Sequence, residues 1–198
     1  MIDLSGLPDP SDRDQAWVGD EPAYAVWSDR MRAADLDLDA RKQVAAKWRL
    51  MHNFGEEAID RASLEWIASL GPLRELGAGS GYNAKLLLDV GGDVIATDPE
   101  PWMPTWTPVE IDSYETAPRD GRIPLLVWPY MNVPNQWLQS DDAPSTLLVI
   151  NDVEPRNVGR VPGYNNVLAK SWELIESREV RTGWRYYTDY VHLWKRDS

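Results

Sequence analysis

Between Glu75 and Ala84 the chain reads Glu-Leu-Gly-Ala-Gly-Ser-Gly-Tyr-Asn-Ala, and residues of these types at this spacing form a ligand cradle. Gly77, Gly79 and Gly81 let the backbone take φ > 0 and let a ligand approach closer than side chains would permit. The helix that follows the glycine turn presents free backbone N–H groups to whatever binds there. Asp98 closes the next apolar run, Val94 to Thr97. An acid at such a strand tip accepts hydrogen bonds from both hydroxyls of a ribose. Together these are the parts of a nucleoside site at the carboxyl edge of an α/β sheet.

Spacing narrows the choice of nucleoside. A dinucleotide fold uses G-x-G-x-x-G, with the pyrophosphate on the helix N-terminus. Here the third glycine comes one residue early, at Gly81, and Tyr82 takes its place. Glu75, just ahead of the first glycine, would repel a pyrophosphate but suits an ammonium group. A ligand with a ribose, an adenine and a cationic amino-acid tail meets these conditions, and NAD does not.

The elements that must hold these residues follow from the apolar pattern. Residues 1 to about 34 are rich in Asp, Pro and Ser, giving a loose arm with a helical turn near Ala23 to Arg32. Val44, Ala45, Trp48 and Met51 fall on one face of a helix over Leu38 to Met51. A second helix is predicted from Glu56 to Leu70, with Ile59, Ala62, Trp66, Ile67 and Leu70 on one side, ended by Gly71-Pro72. Strands are predicted at Leu73 to Leu76, Val94 to Asp98, Val109 to Asp112, Ile123 to Trp128, Thr146 to Ile150, Glu173 to Arg181 and Tyr190 to Trp194. Helices are predicted at Lys85 to Val90, Val133 to Gln139 and Tyr164 to Trp172. Four prolines between Pro99 and Pro108 forbid a regular helix there, leaving an irregular, aromatic crossover. A turn at Thr182-Gly183 joins the last two strands without a helix. This is a mainly parallel seven-stranded sheet with an antiparallel C-terminal hairpin. The domain spans 55–198, and residues 1–54 form an amino-terminal arm and helical cap over the sheet's carboxyl edge.

Composition excludes several function classes. The 198 residues suit one domain, and no run of about 18 apolar residues offers a membrane span. The amino terminus lacks the form of a secretory signal, and the absence of cysteine excludes disulfides and thiolate metal sites. The chain reads as cytoplasmic, and with only His52 and His192 no histidine-rich metal site is expected. A net charge of −12 leaves no general basic footprint for nucleic acid, so a small-molecule substrate is expected. Eleven tryptophans stand against one phenylalanine; Trp102, Trp106 and Trp128 lie near predicted strand ends, where a ligand would be.

The stretch Glu75 to Tyr82 resembles motif I of the class I S-adenosylmethionine-dependent methyltransferases, an acid followed by G-x-G-x-G. The resemblance covers about residues 55 to 196, and the terminal hairpin looks like the antiparallel last strand of that Rossmann-like fold. Leu125 to Tyr130, Leu-Leu-Val-Trp-Pro-Tyr, is similar to the Leu-Leu-x-Trp-Pro-Pro motif of a poorly characterised bacterial and fungal subgroup; Tyr130 departs from it. The resemblance implies S-adenosylmethionine as cofactor. Glu75 and the three glycines would hold its methionine part, Asp98 its ribose, and Asp112 its adenine amino group, unless Asp112 is a solvated turn residue. Trp102 would lie against the adenine or anchor a surface loop. Trp128-Pro129-Tyr130 lacks the leading amide or acid of amine methylases, which argues against adenine-N6 or glutamine methylation. Trp128 would stack on a flat substrate, face the sulfonium, or plug the core.

Methyl transfer from a sulfonium is an in-line displacement that needs mostly alignment and desolvation. A base is needed only where the acceptor loses a proton, and Tyr130, Asp152, Glu154 and His52 are the candidates; His192, inside the last strand, is read as structural. The expected activity is methyl transfer to a small or medium-sized acceptor. The alternative is a non-catalytic binding protein that keeps the methyltransferase fold.

Overall fold

The computed structural model describes residues 59–129, 135–160, 164–180 and 188–196. The expected amino-terminal arm and cap with His52, the residue Tyr130 and the turn at Thr182-Gly183 lie outside them. Seven strands form one sheet: β1 (Leu73–Leu76), β2 (Val94–Asp98), β3 (Val109–Ile111), β4 (Ile123–Val127), β5 (Thr146–Asn151), β6 (Trp172–Val180) and β7 (Asp189–Arg196). Their order is β3-β2-β1-β4-β5-β7-β6. Strands β1 to β5 run parallel, and β7 is antiparallel to both β5 and β6. This is a mainly parallel seven-stranded α/β sheet with the antiparallel terminal hairpin expected from the sequence.

Two helical layers cover the sheet. On one face lie α1 (Arg61–Ser69) and α2 (Tyr82–Asp89), packed on Leu73, Val94, Leu125 and Leu148. On the other lie α3 (Asn135–Gln139) and α4 (Tyr164–Ser171), with Trp137, Leu138 and Leu168 against Leu76, Leu126, Leu147 and Val149. Alternation along each parallel strand feeds both cores, so the central strands read as nearly continuous apolar runs.

Asp60 sets where α1 begins. Its carboxylate accepts from the Ser63 backbone N–H at 3.0 Å and from the Ser63 hydroxyl at 2.9 Å, satisfying a helix-start donor. With that start, Ser63, Leu64 and Ile67 turn inward and Ala62, expected on the buried side, is exposed. No helix forms between β2 and β3, as the prolines dictate. Trp106, expected near a ligand, is instead a core residue at 2 % exposure. Its indole is large enough to fill the space that a crossover helix would otherwise cover, against Tyr82.

Strand β1 breaks the apolar rule, because all four residues are buried and two of them are charged. Arg74 and Glu75 point to opposite faces. Arg74 runs beneath the sheet, donating to Thr97 of β2 at 3.1 Å, Glu110 of β3 at 2.7 Å and Asp120 at 2.8 Å. It thereby ties three strands to the segment that crosses back to β4. Glu75 faces α2 and the site.

Candidate functional site

The carboxyl end of β1 runs straight into the glycine turn. Gly77, Gly79 and Gly81 take φ of 76°, 55° and 74°, values in the left-handed region that favours glycine. Backbone N–H groups of Gly77 and Ala78 donate to Thr97 O at 2.9 and 3.0 Å, which clamps the turn onto the end of β2. Asp98 completes the clamp: Oδ2 accepts from Gly79 N–H at 2.8 Å and Oδ1 from Glu100 N–H at 2.7 Å. An ionised carboxylate has about four acceptor positions. Two are used by the backbone, so Asp98 keeps acceptor capacity for hydroxyls while it shapes the turn.

Glu75 is 1 % exposed. Its Oε1 accepts from the Asn83 side-chain amide at 3.4 Å; Oε2 has no hydrogen-bond partner among the described residues, nor does Asn83 Oδ1. Burial lifts the Glu75 carboxyl to about 8, the Asn83 amide and the Ala84 backbone N–H pull it down, and the nearby Asp98 charge pushes it up. A buried acid with an unanswered oxygen is costly, and native structures keep few such groups without a reason. Here the donor chemistry fits an ammonium group arriving with a ligand. Asn83 was not singled out in the sequence; its place in the first turn of α2, facing the motif acid, was the available signal.

Other expected residues divide. Tyr82 does not line the cradle: its ring is buried, 5.3 Å from the Trp106 ring centroid, because the early third glycine starts α2 with this side chain facing inward. Burial pushes its phenol well above the ordinary range. Trp102 does reach the turn, packing over Gly79 while its backbone N–H donates to Gly79 O at 3.1 Å. Asp112 follows β3 and caps a short turn, accepting from Ser113 N–H at 2.9 Å and from the Thr116 hydroxyl. Those bonds hold its carboxyl below the usual carboxylate range, Thr116 contributing most. Tyr114, in that turn, reaches Gly77 and is a site residue the sequence did not flag.

Trp128, after β4, is half-buried at φ 46°, the one non-glycine residue in the left-handed region among the described residues. Such a conformation in a bulky residue costs on the order of 1–3 kcal/mol and clusters at ligand sites. Its N–H donates to Ile150 O at 2.9 Å, pinning the bend to the end of β5.

Of the expected bases, Asp152 is described and exposed, beyond β5. Glu154 pairs with Arg156. His192 is structural, as read: its Nε2–H donates to Val153 O at 2.9 Å, and burial lowers its pKa.

A cavity of about 370 Å³ lies away from this chemistry, beneath the other face of the sheet between Arg74, Leu76, Ala117, Arg119 and Trp137. The short crossover between β3 and β4 leaves it open, and the glycine turn contributes nothing to its walls. The chemistry, not the cavity, locates the site.

No protein-family model matches this chain, and no curated protein does. Solved structures with similar folds include a candidate RNA methyltransferase from Pyrococcus horikoshii, 15% identical, spanning 70% of this chain and 84% of that one at a TM-score of 0.46. Another is magnesium protoporphyrin IX methyltransferase from Synechocystis with bound S-adenosylhomocysteine, 11% identical over 88% and 95% of the two chains at 0.45. A third is mitomycin 7-O-methyltransferase, 16% identical over 96% and 74% at 0.45. At these values the likeness is one of general fold, and function has to be argued from the residues of the cleft.

Proposed function

We propose that this protein is an S-adenosylmethionine-dependent methyltransferase acting on a small or medium-sized acceptor. Glu75 carries the reading. It is an acid with an unpartnered oxygen, buried beside a glycine cradle and answered by no basic side chain among the described residues. An ammonium group brought by the ligand would answer it, and ribose hydroxyls would use the acceptor capacity left on Asp98. When bound, S-adenosylmethionine supplies a methyl group activated by a sulfonium. The chain's own contribution is alignment and exclusion of water. The clamped turn would hold the methionine end beside Glu75, Trp102 lies over Gly79, and the strained Trp128 sits at the same edge of the sheet. His52, Tyr130 and Asp152 remain candidates for removing a proton where the acceptor carries one. With a net charge of −12, an extended polyanion is disfavoured as acceptor.

A second reading, a binding protein that keeps the fold without transfer, is favoured by one observation. Tyr114 and Trp102 crowd the cradle. The test is mass spectrometry of nucleosides carried through purification, followed by incubation with methyl-labelled S-adenosylmethionine and a panel of phenols, amines and carboxylates. Label on a panel member supports the enzyme. Bound nucleoside with no transfer across the panel favours the second reading, and no sulfur nucleoside bound at any concentration removes the first.

A further inference from the structure

Two aromatic residues stand where the glycine turn would receive its ligand. A Cβ built on Gly77 would lie 2.6 Å from the Tyr114 hydroxyl, and one on Gly79 would lie 3.1 Å from the nearest Trp102 ring carbon. They are held differently. Trp102 is tied to the turn by its own backbone bond to Gly79, so its ring belongs to the cradle wall. Tyr114 comes from the segment after β3, across the cleft, and meets the turn with its hydroxyl end.

The backbone around Tyr114 is fixed. Asp112 caps Ser113 and Thr116, and Ala117 N–H donates to Ser113 O at 2.8 Å. The Arg119 guanidinium donates to the carbonyls of Ala117 at 2.9 Å and Tyr114 at 3.2 Å. Side-chain rotation is the movement left, between staggered positions. Gly77 lies two residues beyond Glu75, the acid suited to an ammonium group. On the reading in which Glu75 takes the ammonium group, the amino-acid tail runs past Gly77 into the space that the hydroxyl fills.

We propose that Tyr114 is a specificity-determining residue of this cradle, its hydroxyl filling the tail's seat at Gly77, so that a nucleoside bearing an amino-acid tail binds only by displacing it. This rests on the reading of the site as one for S-adenosylmethionine. A tail-less nucleoside, adenosine, has nothing to displace. Where a binding-competent state is only partly populated, the apparent Kd is the intrinsic one divided by that fraction.

The experiment is titration of S-adenosylhomocysteine and adenosine into the full chain and into Tyr114→Ala and Tyr114→Phe, with stopped-flow rates and a thermal unfolding control. Tyr114→Ala tightens S-adenosylhomocysteine about tenfold, through faster association at unchanged dissociation, and leaves adenosine within about twofold. Tyr114→Phe, which keeps the ring and its packing, tightens it less and serves as the readout if the Ala variant fails the unfolding control; any tightening of the tailed ligand alone supports the proposal. Unchanged or weaker S-adenosylhomocysteine affinity in the folded variants overturns it and leaves the site reading intact. If neither nucleoside binds any of the folded proteins, the site reading fails and takes the proposal with it.

Discussion

A carboxyl group held near 8 couples the site to pH. Free of ligand, folded Glu75 keeps its proton up to about pH 8, while in the unfolded chain it is lost near the ordinary value of 4.5. Between those values the folded state holds more protons, so this group's stabilisation is full below pH 4.5 and falls as pH rises through 8. Glu75→Gln removes that slope. The variant unfolds at a higher temperature than wild type at pH 8, and the difference shrinks by pH 5, in scanning calorimetry of the ligand-free proteins. An ammonium-bearing ligand draws the proton off, so titrations at pH 6.5 in buffers of different ionisation enthalpy report proton release for wild type and none for Glu75→Gln. Asp98 behaves differently. Its two backbone bonds make it part of the turn, not a free strand-tip acid, and it is 9 % exposed. Asp98→Ala therefore weakens S-adenosylhomocysteine binding by about 1.5–3 kcal/mol and also lowers the unfolding midpoint. Equal binding in a folded variant would show that Asp98 serves the turn alone. The glycines, Glu75 and Asp98 were legible because their types and spacing carry chemistry by themselves. Tyr114 was not, because one aromatic in a turn has no period and its relation to Gly77 spans strands distant in sequence.

Among the elements, the glycine turn and β1 bear most of the arrangement. Gly81 is the N-cap of α2 at φ 74°, and a Cβ there would meet Val109 at 2.9 Å and Thr107 at 3.1 Å. Gly91 has a similar φ of 85° but open space around it. Gly81→Ala costs about 1–3 kcal/mol in urea unfolding, from strain and crowding together, and Gly91→Ala costs less because strain acts alone. Equal costs would mean that β3 gives way freely. Arg74→Met removes the bonds to Thr97, Glu110 and Asp120, of which the two acids are partly solvated. A loss of about 1–2 kcal/mol is expected in urea unfolding. Strand positions were readable from apolar runs that feed both cores. The phase of α1 was misjudged at Ala62, because the start imposed by Asp60 outweighs a loosely spaced apolar pattern. The proline-rich crossover was read correctly as non-helical. Trp106 was still misplaced, since nothing local distinguishes an indole that fills a core from one that lines a cleft.

Across the chain, the sheet brings the ends of β1, β2, β3 and β4 to one edge, and Glu75, the three glycines, Asp98, Trp102, Tyr114 and Trp128 lie on or beyond those ends. That convergence was legible from alternating strands and helices closed by a hairpin. Among the described residues no helix is long and apolar enough to cross a membrane. On the proposed function this edge takes a nucleoside with a cationic amino-acid tail and refuses a pyrophosphate, a difference that calorimetry reads. S-adenosylhomocysteine and NAD are titrated in turn into the same preparation of the full chain. Saturable heat is expected with S-adenosylhomocysteine at a Kd of about 1–100 μM, near −8 to −5.5 kcal/mol, and none with NAD. Heat with NAD and none with S-adenosylhomocysteine would contradict it.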